Sequence, residues 1–545
     1  MHSWIGPSAW LAVASAWLPP ATQPAPPPPE PIRARGVIDR DTRWSGRVLV
    51  TDDLHIEHAT VTVDAGTVVE FARVGTADHP TLTVGGPASP GEVRLLSTPE
   101  RPVVFRTREG TPAGRLILHV GGGARRAEAG GEVAWRHARF EGLGFCLLDA
   151  AGRRKLRRFE PAVQFVLSRP ADRLSIEDCE MVDSSRIQVR APASAKVSVR
   201  QCRFSSPRER MSLEVANAGG VAGGIPVEIG GNRAAGAIVV RGLPATIDAN
   251  LVVGLDASII LEKDESPDSR IRGNYVHNTT TSDDGRYGLK CENPAARIDR
   301  NVIRGGTTGV LGGSRHMSAN VILGAPGLTS PTVRLARTHA LVAGLPVGAV
   351  FEDNLLIGPA HSLLVAHSAA AAHPALAGRA PMVIRHNLFD GVGGCNRAIQ
   401  TDWQAGGQHG VEVAGNLFLR VPTLVAETSR AACSLRLADW NAVAPLAHRP
   451  WHQVHIDGLR VGEEGWGGRD VTRDTLAGLG LSSPPAQPPA PPDDDLLSGR
   501  LTIESFRAGL FEAYAPLADS PLLGAGRPAG GASRPPIGPR PGAGR

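Results

Sequence analysis

An asparagine followed by two or three apolar residues returns through the middle of the chain: Asn250-Leu-Val-Val, Asn274-Tyr-Val-His, Asn301-Val-Ile-Arg, Asn320-Val-Ile-Leu, Asn354-Leu-Leu-Ile, Asn387-Leu-Phe-Asp and Asn416-Leu-Phe-Leu. The intervals are 24, 27, 19, 34, 33 and 29 residues. A short alternating strand precedes each one, as in Ala296-Arg-Ile-Asp or Val411-Glu-Val-Ala. A fixed motif with elastic spacing means a repeat whose core is constant and whose loops differ. Strands this short bury a face only when neighbouring copies stack on them, which predicts a β-solenoid. Asn232 belongs to the same series, and Cys179 and Cys202 stand where the Asn would be in two earlier copies. Asn tolerates the left-handed backbone of a tight turn, and stacked amides hydrogen-bond along a solenoid axis. The asparagines therefore have a mechanical explanation and no catalytic weight. Cys179 and Cys202 are expected about one strand spacing apart, ~4.8 Å, which permits a disulfide or a pair of buried thiols.

Composition agrees with an all-β reading. Of 545 residues, 64 are Gly and 45 are Pro, too many helix breakers for long packed helices. The 42% hydrophobic fraction is ample for a core. Basic and acidic residues, 58 and 53, nearly balance, so charge gives no reason to expect nucleic acid. Only four of the basic residues are Lys (155, 196, 263 and 290), which draws attention to each.

Residues 1–18 read as a signal peptide and 19–35 as a Pro-rich linker. The solenoid is expected over 36–482, followed by a second Pro-rich linker (483–495), a strand returning to the solenoid (496–526) and a disordered tail (527–545). The apolar stretch within 1–18 is too short to span a bilayer comfortably, and no other segment reaches ~18 uninterrupted apolar residues. Six Cys in so long a chain make no disulfide framework, and no C-x-x-C spacing argues for zinc. The expectation is a monomeric protein that is secreted, periplasmic or on the cell surface.

The repeat resembles the right-handed parallel β-helix proteins of the pectate-lyase-like superfamily, over roughly residues 40 to 480. Trp44-Ser-Gly-Arg-Val-Leu-Val and Thr60-Val-Thr-Val-Asp-Ala-Gly resemble the N-terminal coils of such proteins, and Asp439-Trp440-Asn441 their exit. The resemblance implies an all-β, right-handed single-stranded parallel β-helix. It leaves activity open, because the superfamily holds lyases, hydrolases, epimerases and adhesins.

Sites on this fold lie on the outer face of a sheet, where outward polar residues stack on successive coils. In Tyr287-Gly-Leu-Lys-Cys-Glu, alternation puts Leu289 and Cys291 inside and Lys290 and Glu292 outside. One coil earlier, Leu261 aligns with Cys291 and Glu262 with Glu292. Stacked carboxylates repel unless a cation or Lys compensates. The preceding loop supplies Asp283, Asp284 and Arg286. Oxygens from Asp283, Asp284, Glu262 and Glu292 would suit Ca²⁺.

The cluster resembles the calcium-plus-Lys arrangement of some β-helix polysaccharide lyases. That implies Lys290 as base, provided its pKa is lowered, with Arg286 beside it, Asp283 and Asp284 as metal ligands, and an acidic polysaccharide as substrate. Lys263, Arg315 and His316 are candidates for binding that substrate. Three alternatives stand beside this reading. The cluster is a solvated Lys/Glu ladder beside an acidic turn; the protein is a non-catalytic, carbohydrate-binding solenoid; or Asp283 and Asp284 are the paired carboxylates of a glycoside hydrolase.

Overall fold

The computed structural model describes residues 30–72, 80–111, 113–121, 130–144, 161–205, 211–219, 224–280, 287–312, 314–325, 340–345, 348–367, 381–402, 411–427, 435–444, 470–526 and 536–539. Its strands wind into three parallel ladders. The first runs from Val68–Phe71 to Val471–Thr472 and contains the triplets that follow each Asn, such as Leu355–Ile357 and Leu417–Leu419. The second runs from Thr81–Val84 to Val425–Glu427 and contains Ile259–Glu262 and Tyr287–Cys291. The long strand Arg47–Ile56, itself paired along both halves with Ile32–Ile38, feeds both, pairing with Val68–Phe71 through its first half and with Thr81–Val84 through its second. The third ladder has twelve strands, from Glu132–Arg136 to Leu435–Asp439. With a right-handed crossover, the sense that parallel strands adopt, the chain is a right-handed parallel β-helix. No helix among the described residues is long and apolar enough to cross a membrane.

The interior is one continuous apolar column of inward residues from successive coils, for example Ile176, Val199, Ile229, Ile247, Ile271, Ile298, Met317, Phe351 and Ile384 on the third ladder. Toward the N-terminal end Phe105, Trp135 and Phe140 stack with ring centroids 5.5–6.0 Å apart, and Phe165 meets Trp135 edge-on.

Asn232, Asn250, Asn274, Asn301, Asn320, Asn354, Asn387 and Asn416 are each fully buried and form the expected amide ladder. In each rung the Asn Oδ1 accepts from the main-chain N–H and the Nδ2 of the Asn one coil before. For Asn274 and Asn301 these distances are 3.1 and 2.9 Å. The ladder begins at the Cys202 N–H, which donates to Asn232 Oδ1 at 2.9 Å, and continues past Asn416 to Asn441 and Asp470. Cys179 and Cys202 are buried free thiols. The backbone detail differs from expectation. The left-handed residue is the one before each Asn: Ala249, Arg300, Ala319, Asp353, His386 and Trp440 have φ between 53° and 58°, and Gly231, Gly273 and Gly415 fill the same place elsewhere. The Asn lies beyond the corner, where its amide, as at Asn301, donates to the carbonyl two residues before it, to a carbonyl of the preceding coil and to the next Asn. The ladder therefore holds a corner that non-glycine residues would otherwise avoid.

The C-terminal region departs most from the sequence expectation. No strand returns over 496–526; helices α1 (Asp493–Ser498) and α2 (Ile503–Ala513) lie there instead. The only pairing nearby is an isolated antiparallel bridge between Leu481 and Pro516. Thr502 caps α2 through the Ser505 N–H, and Leu510, Phe511 and Tyr514 then fall on one buried face.

This segment covers the outside of the first ladder. Leu481, Leu496, Leu510, Phe511, Tyr514 and Leu522 form a second apolar cluster with the outward residues Tyr275, Val302, Val321, Leu355, Leu388 and Leu417. The stretch 483–495 is accordingly a strap and not a free linker. Arg304 donates to the Pro489 carbonyl, and Arg420 to the Pro485 carbonyl at 2.8 Å. Tyr514 Oη donates to Asp390 at 2.7 Å. Part of the expected tail is packed as well: Ile537 is fully buried, and the Gly538 N–H donates to the Gly415 carbonyl. At the other end, the expected 19–35 linker already includes the start of the strand Ile32–Ile38. Residues 1–18 lie outside the described residues.

One ionisable clasp holds the strap. Asp493 accepts from Tyr275 Oη at 2.7 Å and contacts His277 Nδ1 at 2.6 Å. Burial alone pushes the Asp493 carboxyl up, but hydrogen bonds from His277 and Tyr275 outweigh it and hold the carboxyl below its ordinary range. A carboxylate depressed in the folded state stabilises above its unfolded pKa, and that contribution is lost as pH falls through the folded value. The strap is expected to stay closed near neutrality and to loosen only below about pH 4, the ordinary Asp value. Limited proteolysis of 483–500 as a function of pH checks this, with Asp493→Asn cleaved already at neutral pH.

Candidate functional site

The second ladder brings together three of the predicted site residues. Lys290 Nζ lies 2.7 Å from Glu262 Oε1 and 2.7 Å from Glu292 Oε1, between the two carboxylates that alternation had stacked. The row continues without a gap. Glu262 accepts from Arg241 Nε at 3.0 Å, Arg241 also pairs with Glu214, and Glu214 accepts from Arg186 at 3.0 Å and Gln188 at 2.8 Å.

The electrostatics run against a base at Lys290. Burial acts to lower its pKa, yet the two carboxylates together raise it above that of an ordinary lysine, so the amine stays protonated. Glu262 is likewise held below the usual carboxylate range: burial pushes it up, and hydrogen bonds from Lys290 and Arg241 more than reverse this. With both its oxygens engaged by cations, Glu262 does not fit a Ca²⁺ ligand. Among the described residues no three His, Cys, Asp or Glu side chains stand together as a metal site would require. Asp283, Asp284 and Arg286 lie outside the described residues.

The remaining candidates are elsewhere. Lys263 occupies a left-handed turn position (φ 56°) with its side chain exposed. Its neighbour Asp264 is buried in a structural network with the Ser266 N–H, Ser269 and Asn293. Arg315 and His316 do follow Lys290 by one coil but lie round the corner: His316 opens a strand of the third ladder, in register with Arg297. A different sheet carries them, so they do not share the outer face on which Lys290 stands.

The outer face of the third ladder holds what the sequence reading passed over. A depression of about 400 Å³ runs across its first coils, lined by Glu132, Arg173, Ser175, Lys196, Ser198 and Glu228, among others. The register places Arg173 beside Lys196 and Ser175 beside Ser198. The floor is therefore two small hydroxyls on successive strands, with a cation pair along one side. Further along the same face Arg270, Arg297 and His316 follow one another in register. Arg173, Lys196, Arg270 and Arg297 are exposed, and among the described residues none of the four makes an ion pair. By contrast, Arg200 is matched to Glu228 at 2.6 Å, and Arg136 is matched to Glu177. The signal was available. Aligning Arg173-Leu-Ser-Ile-Glu with Lys196-Val-Ser-Val-Arg on the following Cys179 and Cys202 stacks the two cations and the two serines.

No protein-family model matches the chain, and no curated protein matches it. Among solved structures it is similar to the crystal structure of pectate lyase Pel9A, with 9% sequence identity over 88% of this chain and 87% of that one, and a TM-score of 0.21. So loose a superposition carries no argument about activity. The class of the protein follows from its own ladders: a right-handed parallel β-helix with its first sheet sheathed by the C-terminal segment and, among the described residues, its third sheet open.

Proposed function

We propose that this β-helix binds an acidic polysaccharide along the open face of its third sheet, and that Lys290 performs no proton transfer. The observation that supports this most is the set of exposed, unmatched cations on successive coils, Arg173 with Lys196 and Arg270 with Arg297. Parallel strands repeat every ~4.8 Å, so such rows offer regularly spaced charge to an extended polyanion. Two residues along the strands from Arg173 and Lys196, the Ser175 and Ser198 hydroxyls suit sugar hydroxyl groups, which both donate and accept. Among the described residues the row around Lys290 has every charge matched by a partner.

The test is affinity electrophoresis of the full chain through polygalacturonate, alginate and, as a neutral control, dextran. Retardation is expected with the two acidic polymers only, weakening as salt rises. The double variant Arg173→Ala/Lys196→Ala should bind at least tenfold more weakly, while Lys290→Met should match wild type. Ultraviolet absorbance of unsaturated uronides, with and without calcium, should stay flat. A calcium-dependent rise that Lys290→Ala abolishes would overturn the reading in favour of a lyase.

A further inference from the structure

The third face is broken at one place. Upstream of its twelve strands lies a separate three-stranded sheet ending in Glu92–Leu95, and this strand forms no ladder with Glu132–Arg136 one coil on. The same two coils pair continuously on the other faces, through Val103–Thr107 with Ala138–Glu141 and Arg115–Val120 with Val163–Leu167. Among the described strands of these two coils the splay is therefore confined to this face. Trp135 accounts for the opening. Its buried indole packs among Phe105, Phe140 and Phe165, and its Nε1 meets the Val93 carbonyl at 3.4 Å, where a strand N–H would otherwise sit.

The opening is a cavity of about 560 Å³ lined by Leu95, Leu96, Leu118, His119 and Val133, with Glu132 at its edge. Glu132 also lines the depression over Arg173 and Lys196, so the two hollows adjoin. Its volume lies in the usual range for small-molecule sites.

The shape and charge of the cavity select its occupant. An inserted peptide strand would need two strand spacings along the whole gap. The gap is instead closed at one end by the Trp135 contact and by Ser97 Oγ donating to the Arg136 carbonyl. A blunt ring enters where a strand does not. Among the described residues of the lining, Arg94 is the one Lys or Arg and is neutralised by Glu92 at 2.7 Å, while Glu132 makes no ion pair. Against these described residues a uronate carboxylate would meet net negative charge, whereas an uncharged pyranose presents C–H faces to Leu95 and Leu96 and hydroxyls to the polar edge. Burial pushes the His119 imidazole pKa down, leaving it a neutral hydrogen-bonding group near pH 7.

We propose that this cavity is a subsite for an uncharged sugar unit, so that the ligand of the third face is a heteropolysaccharide in which charged and uncharged residues both occur. The inference rests on the polysaccharide-binding reading above.

Its test compares hyaluronan, gellan and xanthan, which mix charged and uncharged units, with polygalacturonate and alginate, which are uronate throughout. At least one mixed polymer is expected to bind the wild-type chain tenfold or more tightly than either homopolymer. Leu96→Trp, at a half-exposed position (48%) that fills the cavity, and His119→Ala should each remove that preference while leaving polygalacturonate binding unchanged. Circular dichroism and the unfolding midpoint verify that both variants are folded. Equal binding of the two polymer classes, or a preference that survives both variants, overturns the subsite alone. Binding of none of the five polymers overturns the subsite and the polysaccharide reading together.

Discussion

Replacing Asn301 by Ala is expected to cost about 3–5 kcal/mol of stability, at the far end of single-residue effects. The Asn301 amide is fully buried. Its Nδ2 donates to the Ile271 and Asp299 carbonyls and to Asn320 Oδ1 at 2.9–3.0 Å, and its Oδ1 accepts twice from Asn274. Truncation leaves several buried polar groups without partners, at about 1–3 kcal/mol each when no water replaces the lost bond. Arg300, just before it, is then held at φ 58° without the ladder that fixes the corner. In a solenoid each coil is supported by its neighbours, so local opening around coils 270–320 should precede global unfolding. Urea unfolding measures the loss. A change under 1 kcal/mol would mean that the ladder is incidental.

Removing residues 483–545 is expected to have the second large effect. It uncovers Tyr275, Val302, Val321, Leu355, Leu388 and Leu417, which the C-terminal segment now buries. An apolar strip running along many coils marks an association surface. The truncated chain should bind a hydrophobic dye strongly and elute as soluble aggregates in size-exclusion chromatography, with its second and third ladders intact. A monodisperse truncation product with an unchanged unfolding midpoint would show that the segment merely rests on the sheet.

The fold was legible because a β-helix writes its period into the chain: Asn plus an apolar run at a corner, over and over. The same runs held more than was read from them. A strand with one wet face alternates, yet Val321–Leu323, Leu355–Ile357 and Leu417–Leu419 are apolar throughout and buried on both sides. Continuous apolar strands signal a sheet covered on both faces, and here they foretold a cover without naming it. The cover itself was obscured by its surroundings. α2 carries a Thr502 cap and helical apolar spacing, but Gly- and Pro-rich sequence on both sides drowned an eleven-residue signal. Contacts such as Tyr275 with Asp493, 218 residues apart, have no local signature.

The candidate site divided along similar lines. Alternation found the facing of Lys290, Glu262 and Glu292 correctly, because period-two geometry decides it. The sign of the Lys290 pKa shift depended on which carboxylates its chain reached, and these lie 28 and two residues away in sequence. Arg315 and His316 lie one coil beyond Lys290 but on another face, which the sequence does not show, since elastic loops hide where a corner falls.

Hydrogen–deuterium exchange of the full chain with and without a bound acidic polysaccharide tests the central claim most directly. The account predicts slowed exchange in Arg173–Glu177, Lys196–Arg200, Arg270–Arg272 and Arg297–Asp299, the strands of the third ladder that carry the unmatched cations. Protection confined to Ile259–Glu262 and Tyr287–Cys291, around Lys290, would contradict it and return the site to the second sheet.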